Sequence, residues 1–325
     1  AAPTSEPLAR TVVADVHSNA AAAAPATVVR SYEFNRKLLF KLLVMANSQL
    51  AELVQARGPN LHINAACAGT TAALALGCDW MRAGRCRRVV VISADCPSSD
   101  NLLPWVGIGF LALGAATIKP KVEDAALPFD IRRNGMLLGA GAVALVLEVD
   151  AVAMARPMCS PCVKVLGTTH ANSAYHASAI GTKHACEQLE RLMTQVEVVH
   201  GLKREKIVES LLYVSHETFT CARGGGCAGS EIAALRSVFK HSLNKILITN
   251  TKGMTGHAMG VCFEDAVAVA ALTTGRVPPV VNFREADPVL GQLRLSQGGE
   301  HNCKFALHFA AGFGSQIAYV LYGKI

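Results

Sequence analysis

The chain has 325 residues, 51% of them apolar and 17% charged, enough to bury a substantial core as one large domain or two modest ones. No apolar run reaches the length of a membrane span. The net charge of +7 comes from scattered residues, and without a dense Lys/Arg block it gives no argument for nucleic acid. Eleven cysteines without paired spacing suggest a reducing intracellular compartment, cytoplasm or organelle, rather than secretion. Cys159-Ser160-Pro161-Cys162 has no second pair beside it. It is expected to be a loop with two incidental thiols, so no metal site is expected.

Residues 1–27 are rich in Ala, Pro and Ser and lack the basic-then-apolar pattern of a secretory signal. Tyr32 to Val54 repeats apolar residues at helical spacing, and Gly58-Pro59 closes it. The short run Leu61-His62-Ile63 then meets Asn64-Ala65-Ala66-Cys67-Ala68-Gly69-Thr70-Thr71, which opens a helix ending near Gly84. Cys67 is therefore expected at a strand-to-helix junction. Free N–H groups and the positive helix end there would lower a thiol's pKa. Arg88 to Ala94 lacks alternation and is expected to be a strand covered on both faces. A glycine-rich stretch around Phe110, polar turns at Pro128 to Gly135, and a second apolar strand from Gly139 to Glu148 follow.

The second half repeats the pattern. Strands are expected at Val163–Gly167, Leu211–Ser215, Ile246–Thr249, Phe305–Phe309 and Gln316–Tyr322, and helices at Glu187–Val199, Ser230–Phe239 and Glu264–Thr274. Alternating strands and helices imply an α/β layer fold. Arg223-Gly224-Gly225-Gly226 lacks the context of a phosphate cradle and is expected to be a flexible loop.

Three polar stretches fall where strands end, the usual place for chemistry in such sheets. They hold Cys67, His216, and His257 with Lys252. A thiol nucleophile needs a nearby acid/base group or a set of donors, and two histidines with a lysine supply them. Five motifs then occur in order: Asn64-Ala65-Ala66-Cys67-Ala68; Leu127-Pro128-Phe129-Asp130 with Gly139-Ala140-Gly141; His216-x-Thr218-x-Thr220; Lys252-x-x-x-Gly256-His257; and Gly312-Phe313-Gly314. Together they resemble the β-ketoacyl synthases, or ketosynthases, the condensing enzymes of fatty acid and polyketide assembly in the thiolase superfamily. The resemblance runs from about Tyr32 to the C-terminus. It looks closest to ketosynthase domains of type I polyketide or lipid synthases.

The resemblance implies a five-layer α-β-α-β-α sandwich of two pseudo-duplicated halves. Residues 1–150 would carry the nucleophile and 151–325 the two histidines. Only 66 residues precede Cys67, so the opening strand of that fold is expected to be missing. The implied reaction is a decarboxylative Claisen condensation between an acyl group on Cys67 and a malonyl-type thioester on acyl carrier protein. His216 and His257 would hold the thioester carbonyl, and Lys252 would tune their charge. The N–H groups of Cys67 and Phe313 would face the oxyanion. Thr218 and Thr220 would bind the phosphopantetheine arm, Phe313, between Gly312 and Gly314, would gate it, and Phe110 would line the acyl pocket. Glu264 would take the place of the usual structural glutamate, in a segment two residues shorter than usual after His257. Glu217 and Phe219 stand where many members have small residues and are expected to narrow the entrance. No cofactor is implied beyond the carrier's phosphopantetheine. A homodimer paired through Arg88 to Ala94 is implied, and so are further domains of a multifunctional synthase. The alternative is a non-elongating or structural ketosynthase-like subunit of a larger assembly.

Overall fold

The computed structural model describes residues 43–155, 163–220 and 225–325. The expected lead-in, the front of the Tyr32 helix, the Cys159–Cys162 loop and most of the Arg223 loop lie outside the described residues. In chain order the elements are α1 (Leu43–Leu53), α2 (Gly69–Arg82), β1 (Arg88–Asp95), α3 (Leu103–Ala112), α4 (Val122–Ala125), β2 (Gly141–Glu148), α5 (Asp150–Met154) and β3 (Val163–Asn172). Then come α6 (Thr182–His200), α7 (Arg204–Ile207), β4 (Leu211–Ser215), α8 (Gly226–Phe239), β5 (Leu247–Asn250), α9 (Lys252–Thr255) and α10 (Phe263–Thr274). The chain closes with β6 (Arg276–Pro279), β7 (Arg294–Leu295), β8 (Gln297–Glu300), β9 (Phe305–Gly312) and β10 (Gln316–Lys324). Asn47–Ile325 packs as one compact unit.

A six-stranded sheet in the order β3-β10-β9-β4-β5-β7 organises that unit. β4 runs parallel to β9 and to β5, whereas β10 is antiparallel to β3 and β9. Its side chains alternate between two cores. Tyr213, Leu307, Phe309, Ile317 and Tyr319 pack with Leu189, Leu192 and Leu235 of α6 and α8. Leu212, Val214, Ala306, Val320 and Tyr322 pack with Leu74 of α2 and Ala268 and Leu272 of α10. Burial on both faces explains why these strands read as unbroken apolar runs.

On the far side of α2 and α10 lies the antiparallel pair β1–β2, which reaches that core through Val91, Leu145 and Leu147. Four of the five implied layers, α6/α8, sheet, α2/α10 and β1–β2, are thus built from described residues. Two expectations need correction. Residues 61–65 form no strand, because the β1–β2 sheet offers them no ladder partner among the described residues. Nor is β1 covered on both faces: Val90 and Ile92, with Val146 opposite on β2, are 46%, 45% and 58% exposed. The period of two is present there, but outward positions carry apolar side chains, so the sequence reads as continuous.

Candidate active site

Cys67 sits in a single 3-10 turn, Ala66–Ala68, directly ahead of α2. Ala66 is left-handed, φ 47°, a conformation that costs a residue with a Cβ about 1–2 kcal/mol. The Asn64 side chain supports it by accepting the Ala66 N–H at 3.1 Å. No side-chain cap serves α2. Instead the Gly260 carbonyl accepts from Thr70 N at 3.1 Å and Thr70 Oγ1 at 2.9 Å, and Thr70 Oγ1 accepts from Cys262 N at 2.9 Å. The segment after His257 thereby caps the helix that presents the thiol.

The end of β9 closes the other side. A Cβ built on Gly312 would lie 2.5 Å from the Ala65 carbonyl and 2.8 Å from Cys67 N, so bare backbone meets backbone here. Burial pushes the Cys67 thiol up to about 11, against Lys252 and the N–H groups of Cys67 and Phe313, with Asp95 adding to the rise. The expected low-pKa thiol is therefore corrected. The helix start is present, but Cys67 is only 7% exposed and desolvation outweighs it. The resting group is a thiol, and acylation must include removal of its proton.

His216 follows β4 and His257 follows α9. Their rings stand 5.7 Å apart at 89°, and both residues are buried. His216 N donates to Glu231 Oε2 at 3.2 Å, and its ring packs on Phe309 at 6.2 Å. His257 is pinned to the loop before β2: its N–H donates to Leu137 O at 2.7 Å and its carbonyl accepts from Gly139 N at 3.0 Å. Burial lowers both rings, and Lys252 lowers them further; His257 is brought to about 3. Both imidazoles are neutral at physiological pH, so each carries one N–H donor and one lone pair. Such rings can accept a proton from a thiol and donate to an oxyanion.

The sign of that shift makes a prediction. His257 stays neutral in the fold but protonates when unfolded, so its contribution to stability is complete above pH 6.5 and is lost as pH falls towards 3. Between pH 7 and 5 the melting temperature of the parent should fall more steeply than that of His257→Asn. Parallel curves would mean that the ring titrates in the fold as it does in the unfolded chain.

Lys252 Nζ donates to Glu264 Oε1 at 2.6 Å, and Thr251 Oγ1 to the same oxygen at 2.7 Å. Burial raises the Glu264 carboxyl, but Lys252, His308 and those hydrogen bonds win and bring it to about 2. Burial also opposes the Lys252 charge, yet Glu264 holds the ammonium above its ordinary value. The pair is ionised on both sides.

Thr218 Oγ1 and Thr220 Oγ1 lie 3.3 Å apart, and the Phe110 and Phe313 rings meet at 5.8 Å, with Phe313 38% exposed and Phe110 buried. Gly314, next to Phe313, is left-handed at φ 75° with open space beside it. Glu217 and Phe219 are fully buried; they point into the protein and do not narrow an entrance, because Glu217 is held by an interior polar network. Sequence reasoning missed Glu231, His308, Arg133 and Asp265. His308 alone carried a signal, a lone polar residue inside the apolar run of β9. Among the described residues, two groups of side chains have metal-ligand chemistry, Cys262–Glu264–His308 and Glu217–Cys227–Glu231. In each, a carboxylate is already committed internally, Glu264 to Lys252 and Glu231 to four donors.

The end of β9 gathers these groups: Gly312 closes on Cys67, the His216 ring packs on Phe309, and His257 stands against His216. The structure of a type II polyketide synthase acyl carrier protein in complex with its ketosynthase superposes with a TM-score of 0.76 at 21% identity, over 87% of this chain and 67% of that one. The family described as "Beta-ketoacyl synthase, N-terminal domain" matches residues 19–153. Nodulation protein E of Rhizobium leguminosarum bv. trifolii is 27% identical over 238 residues, 71% of this chain and 53% of that protein. The chloroplastic 3-oxoacyl-[acyl-carrier-protein] synthase I of Hordeum vulgare is 27% identical over 288 residues, 86% of this chain and 58% of that protein. By residues 19–153 and by these relatives the chain is similar to the β-ketoacyl synthases, and its fold is the one their solved structures share. It spans little more than half the length of these two curated relatives.

Proposed function

We propose that the chain is an acyltransferase that condenses an acyl group with a malonyl-type thioester in fatty acid or polyketide synthesis. The observation that carries this reading is the meeting of Cys67 and the β9 end, where N–H groups of Cys67 and Phe313 act on one sulfur beside two neutral imidazoles. Cys67 loses its proton to an imidazole and attacks the acyl thioester; the pantetheine thiol leaves and a Cys67 thioester forms. A malonyl thioester then loses carbon dioxide. The electron pair of that bond becomes an enolate, whose oxygen accepts N–H donation from His216 and His257. The enolate carbon attacks the Cys67 thioester carbonyl, the oxyanion faces the two backbone N–H groups, and the Cys67 thiolate departs. Burial, reinforced by the Lys252 charge, keeps both rings unprotonated. Thr218 and Thr220 hold the pantetheine arm, and Phe313 against Phe110 separates that arm from the acyl pocket.

The partner in this reading is acyl carrier protein, whose phosphopantetheine is the only prosthetic group required. A homodimer through β1 agrees with the apolar outward face of Val90, Ile92 and Val146. No described helix is long and apolar enough to cross a membrane, and a reducing compartment suits a reactive thiol. Intact mass after incubation with an acyl-pantetheine thioester tests the reading. One acyl adduct should appear on the parent and none on Cys67→Ala. A folded parent without adduct would leave the structural-subunit alternative in its place. An adduct without malonyl decarboxylation would mark a non-elongating acyl carrier.

A further inference from the structure

Glu217 lies between His216 and Thr218, and its residue is 0% exposed. Each of its polar groups joins a different element. Its N–H donates to Ser215 Oγ at 2.9 Å, and its carbonyl accepts from Asn250 Nδ2 at 2.9 Å. Asn250 Oδ1 in turn accepts from Gly253 N at 3.0 Å, in the short helix that carries Lys252. The Glu217 carboxyl accepts from Phe219 N at 3.2 Å, which holds Phe219 in a left-handed turn at φ 61°. Arg133 Nε lies 3.4 Å away, but the guanidinium makes its short contact with Asp287, 2.6 Å from Nη2.

The carboxyl also faces a second one. Ligand atoms of Glu217, Glu231 and Cys227 all lie within 4.8 Å of one another. Glu231 accepts from Tyr213 OH, Ser215 Oγ, His216 N and Cys227 Sγ at 2.7–3.2 Å, the donor set of an ionised carboxylate. Glu217 has only backbone N–H groups as donors, those of Phe219 and Ala228, and its buried Oε2 has no hydrogen-bond partner at normal geometry. Two anions cannot share a dry compartment whose guanidinium is turned to Asp287, so Glu217 is the one that keeps a proton.

We propose that Glu217 is a positioning residue of the condensing site, the peg that sets the backbone between His216 and the two threonines against Glu231 and Arg133. This rests on the condensing reading above. Loss of the peg frees the Thr218–Thr220 turn, so it acts on thioester binding more than on chemistry at Cys67. The groups that set its charge are Arg133 from the loop before β2, Glu231 and Cys227 from α8, and the N–H groups of Ala228 and Phe219. Burial, partly offset by Arg133, moves the carboxyl up to about 8. Its deprotonation above that pH should loosen the same turn.

The test compares Glu217→Gln and Glu217→Ala with the parent, using malonyl-pantetheine for KM and kcat and intact mass for the Cys67 adduct. Glutamine imitates the protonated acid. It should keep parent KM at pH 7 and abolish the parent's rise in KM above pH 8. Alanine should raise KM about tenfold, one hydrogen bond's worth, with the Cys67 adduct still forming. Unchanged KM in a folded alanine variant, or glutamine as impaired as alanine at pH 7, overturns the proposal alone. A folded parent that forms no adduct removes the condensing reading and this proposal with it.

Discussion

Glu264→Gln should lower the unfolding free energy by about 3–5 kcal/mol, the usual result of removing one partner of a buried ion pair. The cause is the charge left behind. Lys252 is 3% exposed and has Glu264 at 2.6 Å, so an amide there leaves an ammonium in a dry interior. Thr251 would keep a hydrogen-bond acceptor, which separates the charge effect from the loss of a contact. Urea unfolding of the two proteins at pH 7 measures the difference. The double variant Lys252→Met with Glu264→Leu should recover most of it, because neither charge is then buried alone. The single variant's deficit should shrink in acid: the Glu264 carboxylate contributes stability that is present above pH 4.5 and is lost as pH falls towards 2. A deficit under 1 kcal/mol at neutral pH would show that water reaches Lys252. The two histidines would feel the same change. With Glu264 gone, nothing offsets Lys252 at His257, and the ring becomes still harder to protonate.

Much of this site is legible in the sequence, and the parts that are not share one cause. Cys67, His216 and His257 stand out because each lies in a polar or small-residue stretch that follows an apolar run, a strictly local pattern. The alternation that splits Tyr213 from Leu212 between two cores is local too. What sequence reading misses depends on contacts far apart in the chain. The cap of α2 is the Gly260 carbonyl, 190 residues from Thr70. The height of the Cys67 pKa reflects how completely β9 and the segment after His257 cover the thiol, which no spacing reveals. Glu217 reads as a bulky intruder beside a histidine. Only the approach of Arg133 and Glu231, from another loop and another helix, shows that it faces inward. The apolar outward residues of β1 mislead in the opposite direction, since composition cannot say which side of a strand is covered.

Gly312→Ala should cost acylation of Cys67 at least about a hundredfold, the scale of losing one oxyanion donor, while the fold persists at about 1–3 kcal/mol lower stability. The new methyl would sit 2.5 Å from the Ala65 carbonyl and 2.8 Å from Cys67 N, and neither neighbour is a flexible side chain. β9 is held on both sides, by β10 and β4, so the weaker partner must yield. That partner is the 3-10 turn, already bearing a left-handed Ala66 at φ 47°. The N–H of Cys67 would be displaced with it, and the sulfur would lose its alignment with Phe313. Gly314→Ala is the control two residues on. Nothing lies within 4 Å of its Cβ position, but φ is 75°, so that variant should lose about 1 kcal/mol of stability and acylate normally. Adduct formation followed by mass over time separates the two. Equal acylation rates would mean that the β9 end gives way instead of the nucleophile turn, and that the Cys67 N–H is not fixed by the Gly312 contact.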